Sequence, residues 1–136
     1  MAIDFELSEH QRKLQADARA FAQKWLKGVR EQMQGLDSAG RFELTRPAYT
    51  AAVEAGYLKL QIPEPLGGSM EGLLDLAIVA EELIAVESSV PLSLLSTGLG
   101  LMGLLFFGNP EQHSRFLPLF TSGKGAPLAG LSFSEP

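Results

Sequence analysis

Apolar residues at Leu14, Ala18, Phe21 and Trp25 recur at helical spacing and predict an amphipathic helix, with Arg12, Lys13, Asp17, Arg19 and Lys24 mainly on its wet side. Ser8 and Gln11 stand in front of it as a capping-box pair. Gly28 either ends this helix or is tolerated in one that runs on to about Gln34. Residues 35–42, GLDSAGRF, read as a loop by their Gly, Asp and Ser content. A second helix is predicted from Thr45, a good N-cap, with Pro47 in its first turn and Gly56 as its stop. Residues 57–62 alternate and read as extended, closed by Pro63, Pro65 and a Gly67-Gly68 turn. A third helix, from about Met70 to Glu87, carries a wide stripe of Leu73, Leu76, Ala77, Ala80, Leu83 and Ile84. Leu74, Ile78 and Val79 make its first half apolar nearly all round, so it is expected to be buried. A fourth follows with Ser88 or Ser89 as cap, Pro91 in its first turn and Gly108 as its stop. A fifth opens at Asn109-Pro110-Glu111-Gln112, where an Asn cap, a Pro at the first helical position and a Gln three residues on combine. Pro118 ends or kinks it, and a short strand is expected over residues 126–136.

The pattern is that of an all-α array of about five to six helices followed by one β-strand. At 136 residues the chain is one domain by length, large enough to bury roughly two-thirds of its unfolded surface. A hydrophobic share of 46% argues against disorder. The net charge of −5 argues against nucleic acid or an anionic membrane as the main partner. With no Cys, disulfides, thiolate catalysis and cysteine metal sites are excluded. The N-terminus, MAIDFELSEHQRK, lacks the basic-then-apolar run of a secretory signal, so the expected location is cytoplasmic.

From Ser88 to Pro110 the sequence has no charge, long enough to raise a membrane span. Its flanks carry Glu81, Glu82, Glu87 and Glu111 where a span would carry Lys or Arg anchors, and Gly98, Gly100 and Gly103 dilute it. The expectation is a central helix and no membrane span. Along it Leu92, Leu95, Leu99, Met102 and Phe106 share one face, a stripe that serves either as plain core or as the wall of an apolar tunnel. Each helical Gly costs about 1 kcal/mol relative to Ala, and such residues usually admit a second backbone or a ligand.

Other candidate chemistry is thin. Glu81 and Glu82 diverge on a helix and do not converge on one atom; a solvated face or a salt bridge to the first helix is expected of them. His10 and His113 have no second His, Cys or acid at ligand spacing, which predicts surface histidines and no metal site. Trp25 and the Phe residues lack the basic interleaving of nucleic-acid stacking.

Several short motifs lie in a family-like order: P-E-x-x-G-G at residues 63–68, the acidic third helix, F-G-N-P-E-Q at 107–112, F-L-P-x-F-x-S-G at 116–123 (where the family has F-L-P-x-L), and S-E-P at 134–136. Together they resemble the acyl-CoA dehydrogenase family across essentially the whole chain. Two further departures occur: Leu66 stands where an aromatic usually precedes the Gly pair, and Ser134 where the family has Thr. The resemblance implies a helical N-terminal domain over residues 1–125, then the first strand of a middle β-domain over 126–136, with the sequence continuing beyond. It implies FAD as cofactor, with Leu131 and Phe133 as walls and the Ser134 hydroxyl as a partner of the flavin edge. It implies that Leu92, Leu95 and Leu99 border the buried end of an acyl chain, Leu95 and Leu99 above all. The implied reaction is α,β-dehydrogenation of an acyl-CoA in fatty-acid oxidation, with electrons passing to electron-transfer flavoprotein or a similar acceptor, often in a tetramer. No catalytic residue is expected in this chain, because the family's base lies in a later helical domain. Two alternatives stay open: an oxidase or monooxygenase of the same superfamily, and a non-catalytic helical module binding protein or lipid.

Overall fold

The computed structural model describes residues 6–132 and 134. The described residues form seven α-helical segments and two 3₁₀ turns and contain no strand. The first helix, α1 (Glu9–Trp25), is set by a complete capping box: the Gln11 amide donates to Ser8 Oγ at 3.1 Å and the Ser8 amide donates back to Gln11 Oε1 at 3.0 Å. Its buried stripe is Ala18, Ala22 and Leu26, flanked by half-buried Leu14, Phe21 and Trp25. Small residues there let α1 lie along α4 (Leu73–Ile84), whose Val79 and Leu83 belong to the same core. Gly28, at φ +80°, ends the run, and a single turn, α2 (Val29–Gln32), follows.

The predicted loop at 35–42 is instead the start of a helix. Asp37 caps it by accepting from the Gly40 amide at 2.8 Å, and α3 runs Ser38–Glu54. Pro47 therefore sits inside α3 and not in its first turn. It removes the donor for the carbonyl of Glu43, and both residues are exposed, so the missing bond faces water and costs little. The buried face is Ala48, Tyr49, Ala52 and Val53, and Gly56, at φ +86°, closes the helix as expected.

Residues 57–62 are not extended. Tyr57 and Leu58 are adjacent and both buried, which a period of two cannot provide, and the chain winds through 3₁₀ turns at Lys59–Gln61 and Glu64–Leu66. A lone bridge joins Pro63 to Met70, with the Met70 amide donating to the Ile62 carbonyl at 3.1 Å. That pairing removes Met70 from the third predicted helix, so α4 starts at Leu73 and stops at Ile84, short of Glu87. Its first two residues are not buried: Leu73 is 74% and Leu74 53% exposed.

The long apolar helix α5 (Ser89–Phe107) has the mean hydropathy of a span, 1.8, but only a third of it is buried within this chain. Val90, Pro91, Leu94, Thr97, Gly98 and Leu101 face the core, while Leu92, Leu99, Met102, Phe106 and Phe107 are exposed. It is thus a two-sided helix and not one buried all round. Neither serine caps it with a side chain; the buried Glu87 carboxylate accepts from the Ser89 amide at 2.8 Å instead, at the positive end of the dipole. The helix α6 (Pro110–Phe116) carries the predicted Asn109–Gln112 capping box, and Pro118 opens a further turn, α7 (Pro118–Thr121), as its first residue. Asn109→Ala should cost about 1 kcal/mol of stability, read as a lower midpoint in urea unfolding.

Glu82 is paired as expected of it. Arg19 on α1 donates to both its carboxylate oxygens, at 2.8 and 2.6 Å. Those bonds hold the Glu82 carboxyl below the usual carboxylate range. A carboxyl depressed in the folded state contributes stability above its unfolded value and loses it as pH falls through the folded one. Glu82→Gln should therefore flatten the dependence of the melting temperature on pH below about 4.5; an unchanged acid slope would show that other carboxyls govern it.

Candidate functional site

The exposed face of α5 is one wall of an apolar groove of about 380 Å³, within the range of small-molecule pockets. Leu95, Leu99, Met102 and Phe106 line it from α5. Pro63, Met70, Leu73 and Leu76 line it from the connection and from α4. The sole polar side chain in the lining is Gln61, whose Nε2 donates to the Leu94 carbonyl at 3.0 Å. Gly98 makes this possible: a Cβ there would lie 2.0 Å from Gln61 Oε1. Among the described residues no titratable side chain lines the groove, and its apolar lining suits an aliphatic chain. Each methylene it covers is worth about 0.8 kcal/mol.

A second feature is the way residues 126–130 are fastened to the helices. Tyr49 on α3 is buried; its hydroxyl lies 2.8 Å from the Pro127 carbonyl and 3.0 Å from Thr97 Oγ1 on α5. Burial pushes the Tyr49 phenol up from its ordinary range, against the opposing effect of the Thr97 contact, so it stays protonated and able to donate. Gly100 lets the same segment lie directly on α5, since a Cβ there would fall 2.6 Å from Ala129 C and Gly130 N. Ala126 and Ala129 pack against the core beside it. Past this anchorage Leu131 is 59% exposed, and Ser134 is exposed too.

Residues 8–124 match the family model described as "Acyl-CoA dehydrogenase, N-terminal domain". The chain belongs to the acyl-CoA dehydrogenase family. Among its relatives, nitroalkane oxidase of Fusarium oxysporum is 43% identical over 98% of this chain and 31% of its own length. Acyl-CoA dehydrogenase FadE12 of Mycobacterium tuberculosis is 32% identical over 65% of this chain and 23% of its own. A solved nitroalkane oxidase, an active-site mutant crystallized with 1-nitrooctane, superposes with a TM-score of 0.89 over 98% of this chain and 31% of that one. The chain spans about a third of the length of these oxidases. The nitroalkane oxidases and acyl-CoA dehydrogenases of this family are FAD flavoproteins.

The family resemblance and the coordinates agree unevenly at the level of residues. Leu95 and Leu99 meet in the groove; Leu92 is exposed but lies outside its lining. Leu131 and Ser134 form no strand, for the physical reason that nothing among the described residues pairs with residues 126–132. Phe133 lies outside the described residues. Gly98 and Gly100 admit a side chain and a backbone, as helical glycines were expected to; Gly103 has nothing within 4 Å. His113 is not a free surface histidine: its Nε2 lies 2.8 Å from the Leu104 carbonyl and joins α6 to α5. Side-chain ligand atoms of His10 and of Glu71 and Asp75, which lie much later in the chain, come within 4.8 Å of one another. There Asp75 accepts from Gln11 at 3.2 Å and faces His10 at 3.6 Å, bonds that secure the first turn of α4 to α1. Gln61, Met70 and Tyr49 escaped the sequence reading because their roles depend on partners at least 33 residues away for Gln61 and 48 for Tyr49.

Proposed function

We propose that this chain is the helical N-terminal part of a flavin-dependent oxidase of small aliphatic nitro compounds, in which the α5 groove takes the substrate's alkyl chain. The observation that carries the reading is the 43% identity to a nitroalkane oxidase across nearly the whole chain, against a shorter and weaker match to an acyl-CoA dehydrogenase. The groove's chemistry supports it, since an uncharged tail is what an uncharged, nearly all-apolar lining selects. Leu95, Leu99 and Met102 would exclude water from the tail, and Gln61 would mark the groove's one polar point. The proton on the carbon next to the nitro group must be taken by a base outside these residues, because none lines the groove.

FAD fits the terminal segment in chemistry: Leu131 offers uncovered apolar surface and Ser134 an exposed hydroxyl. Bound there, FAD would supply the two-electron acceptor, and dioxygen would take the electrons on, as the word oxidase requires. The second reading is acyl-CoA dehydrogenation with an electron-transfer flavoprotein as acceptor, supported by the mycobacterial relative and by the fit of an acyl tail to the same groove.

The test uses the full-length protein. Its flavin absorbance should bleach under anaerobic conditions on addition of 1-nitrobutane or 1-nitrohexane and recover in air. Bleaching by butyryl- or octanoyl-CoA alone would establish the second reading. A full-length protein without flavin would overturn both and leave a helical interaction module.

A further inference from the structure

The flavin-side segment has to be held somewhere, and the proton count around Tyr49 shows how. Three contacts surround two hydroxyls: Tyr49 with Pro127 O at 2.8 Å, Tyr49 with Thr97 at 3.0 Å, and Thr97 with Ser93 O at 2.9 Å. Each hydroxyl has one proton, so only two of the three are donated at once. The Pro127 carbonyl accepts from no other group among the described hydrogen bonds, and the Tyr49 proton is the one that reaches it. With that proton committed, the Thr97 proton goes either to the Ser93 carbonyl or to Tyr49, and where it goes to Tyr49 the two hydroxyls form a relay from α5 through α3 to the segment. In the other arrangement Tyr49 donates to Thr97 and Thr97 to Ser93, which leaves a half-buried carbonyl without a donor, at a real cost.

Gly100 provides the second hold. The backbone of Ala129 and Gly130 lies where a side chain on α5 would be, and consecutive Cα atoms are about 3.8 Å apart, so seating Gly130 fixes the start of Leu131. On the reading that Leu131 and Ser134 meet FAD, on which this inference rests, we propose that Tyr49 and Gly100 are positioning residues: Tyr49 clamps Pro127, Gly100 seats Ala129–Gly130, and together they set where the flavin-side residues stand. Neither touches the flavin. Tyr49 is itself part of the core, and α5 contributes to both the core and the groove, so segment and groove share one rigid reference.

The experiment compares full-length wild type with Tyr49→Phe and Gly100→Ala, reading three quantities: FAD dissociation constant, flavin absorption spectrum, and amide hydrogen exchange by segment. Tyr49→Phe keeps the ring in the core and removes the one proton that reaches Pro127. It should weaken FAD binding about fivefold, shift the flavin bands, and speed exchange at residues 128–131 while α1 and α4 keep their protection. Gly100→Ala should do the same more strongly. Unchanged FAD affinity and spectrum in both variants would overturn the inference. So would exchange that rises uniformly across α1–α5, because Tyr49 would then be a plain stability residue. A wild type that holds no flavin would instead overturn the underlying reading, and local exchange at 128–131 would still decide whether the clamp exists.

Discussion

Gly68→Ala is expected to cost about 3 kcal/mol or more, whereas Gly103→Ala should raise the stability of the same chain by up to about 1 kcal/mol. At position 68 the added Cβ would sit 1.8 Å from the Ile62 carbonyl oxygen and 2.4 Å from its carbon. That neighbour is backbone and cannot rotate away. Ile62 is fully buried, its carbonyl accepts from Met70, and the Ser69 amide donates to Lys59 at 2.9 Å. Any shift that relieves the clash breaks the connection carrying one wall of the groove. Space and not torsion is the reason, since Gly68 is not among the glycines at positive φ. Gly103 lies in α5 with nothing within 4 Å, so alanine there only removes unfolded-state freedom. Urea unfolding of the 136-residue chain checks both at once, and equal destabilisation at the two positions would refute the account.

If the full-length protein is the proposed oxidase, Leu99→Trp should remove the advantage of long substrates. The indole would fill part of a groove of about 380 Å³. Displacing about three methylenes at about 0.8 kcal/mol each lowers kcat/KM for 1-nitrooctane about fiftyfold. Nitroethane, too short to reach the filled part, should change little. Leu92→Trp is the control: Leu92 lies on the same helix but outside the lining, and its chain-length profile should stay that of the wild type. A loss at Leu92 equal to that at Leu99 would show that the tail does not lie in this groove.

Much of this fold was legible in sequence because its signals are local. Both capping boxes, the Gly56 stop and the α1 stripe need only neighbours within a few residues, and each stands as read, while of the two readings left open at Gly28 the stop is the one found. The misplacements came where a local signal had a competitor. Thr45 and Pro47 made a plausible helix start, but Asp37 caps first, and a Pro on a wet face does not break α3. The alternation over residues 57–62 suggested an extended run, yet no strand among the described residues pairs with it, and burial of both Tyr57 and Leu58 demanded a tighter winding. Composition called α5 a fully buried helix because hydropathy counts apolar residues without asking which chain covers them. Of the site, spacing showed the apolar stripe and the helical glycines, and the family resemblance singled out Leu95 and Leu99 in it. The opposite wall, Gln61 and the Tyr49 relay were not, since a chain's periodicity says which face is apolar and nothing about what stands across from it.

The division of α5 into two faces has a practical consequence for how such an enzyme diversifies. Residues that keep the helix in place, such as Leu94, Thr97 and Leu101, are separate from those that line the groove, such as Leu99, Met102 and Phe106. Preference for one chain length over another can therefore drift at the second set without endangering the scaffold, so a saturation library confined to those three codons should return mostly folded proteins with altered selectivity.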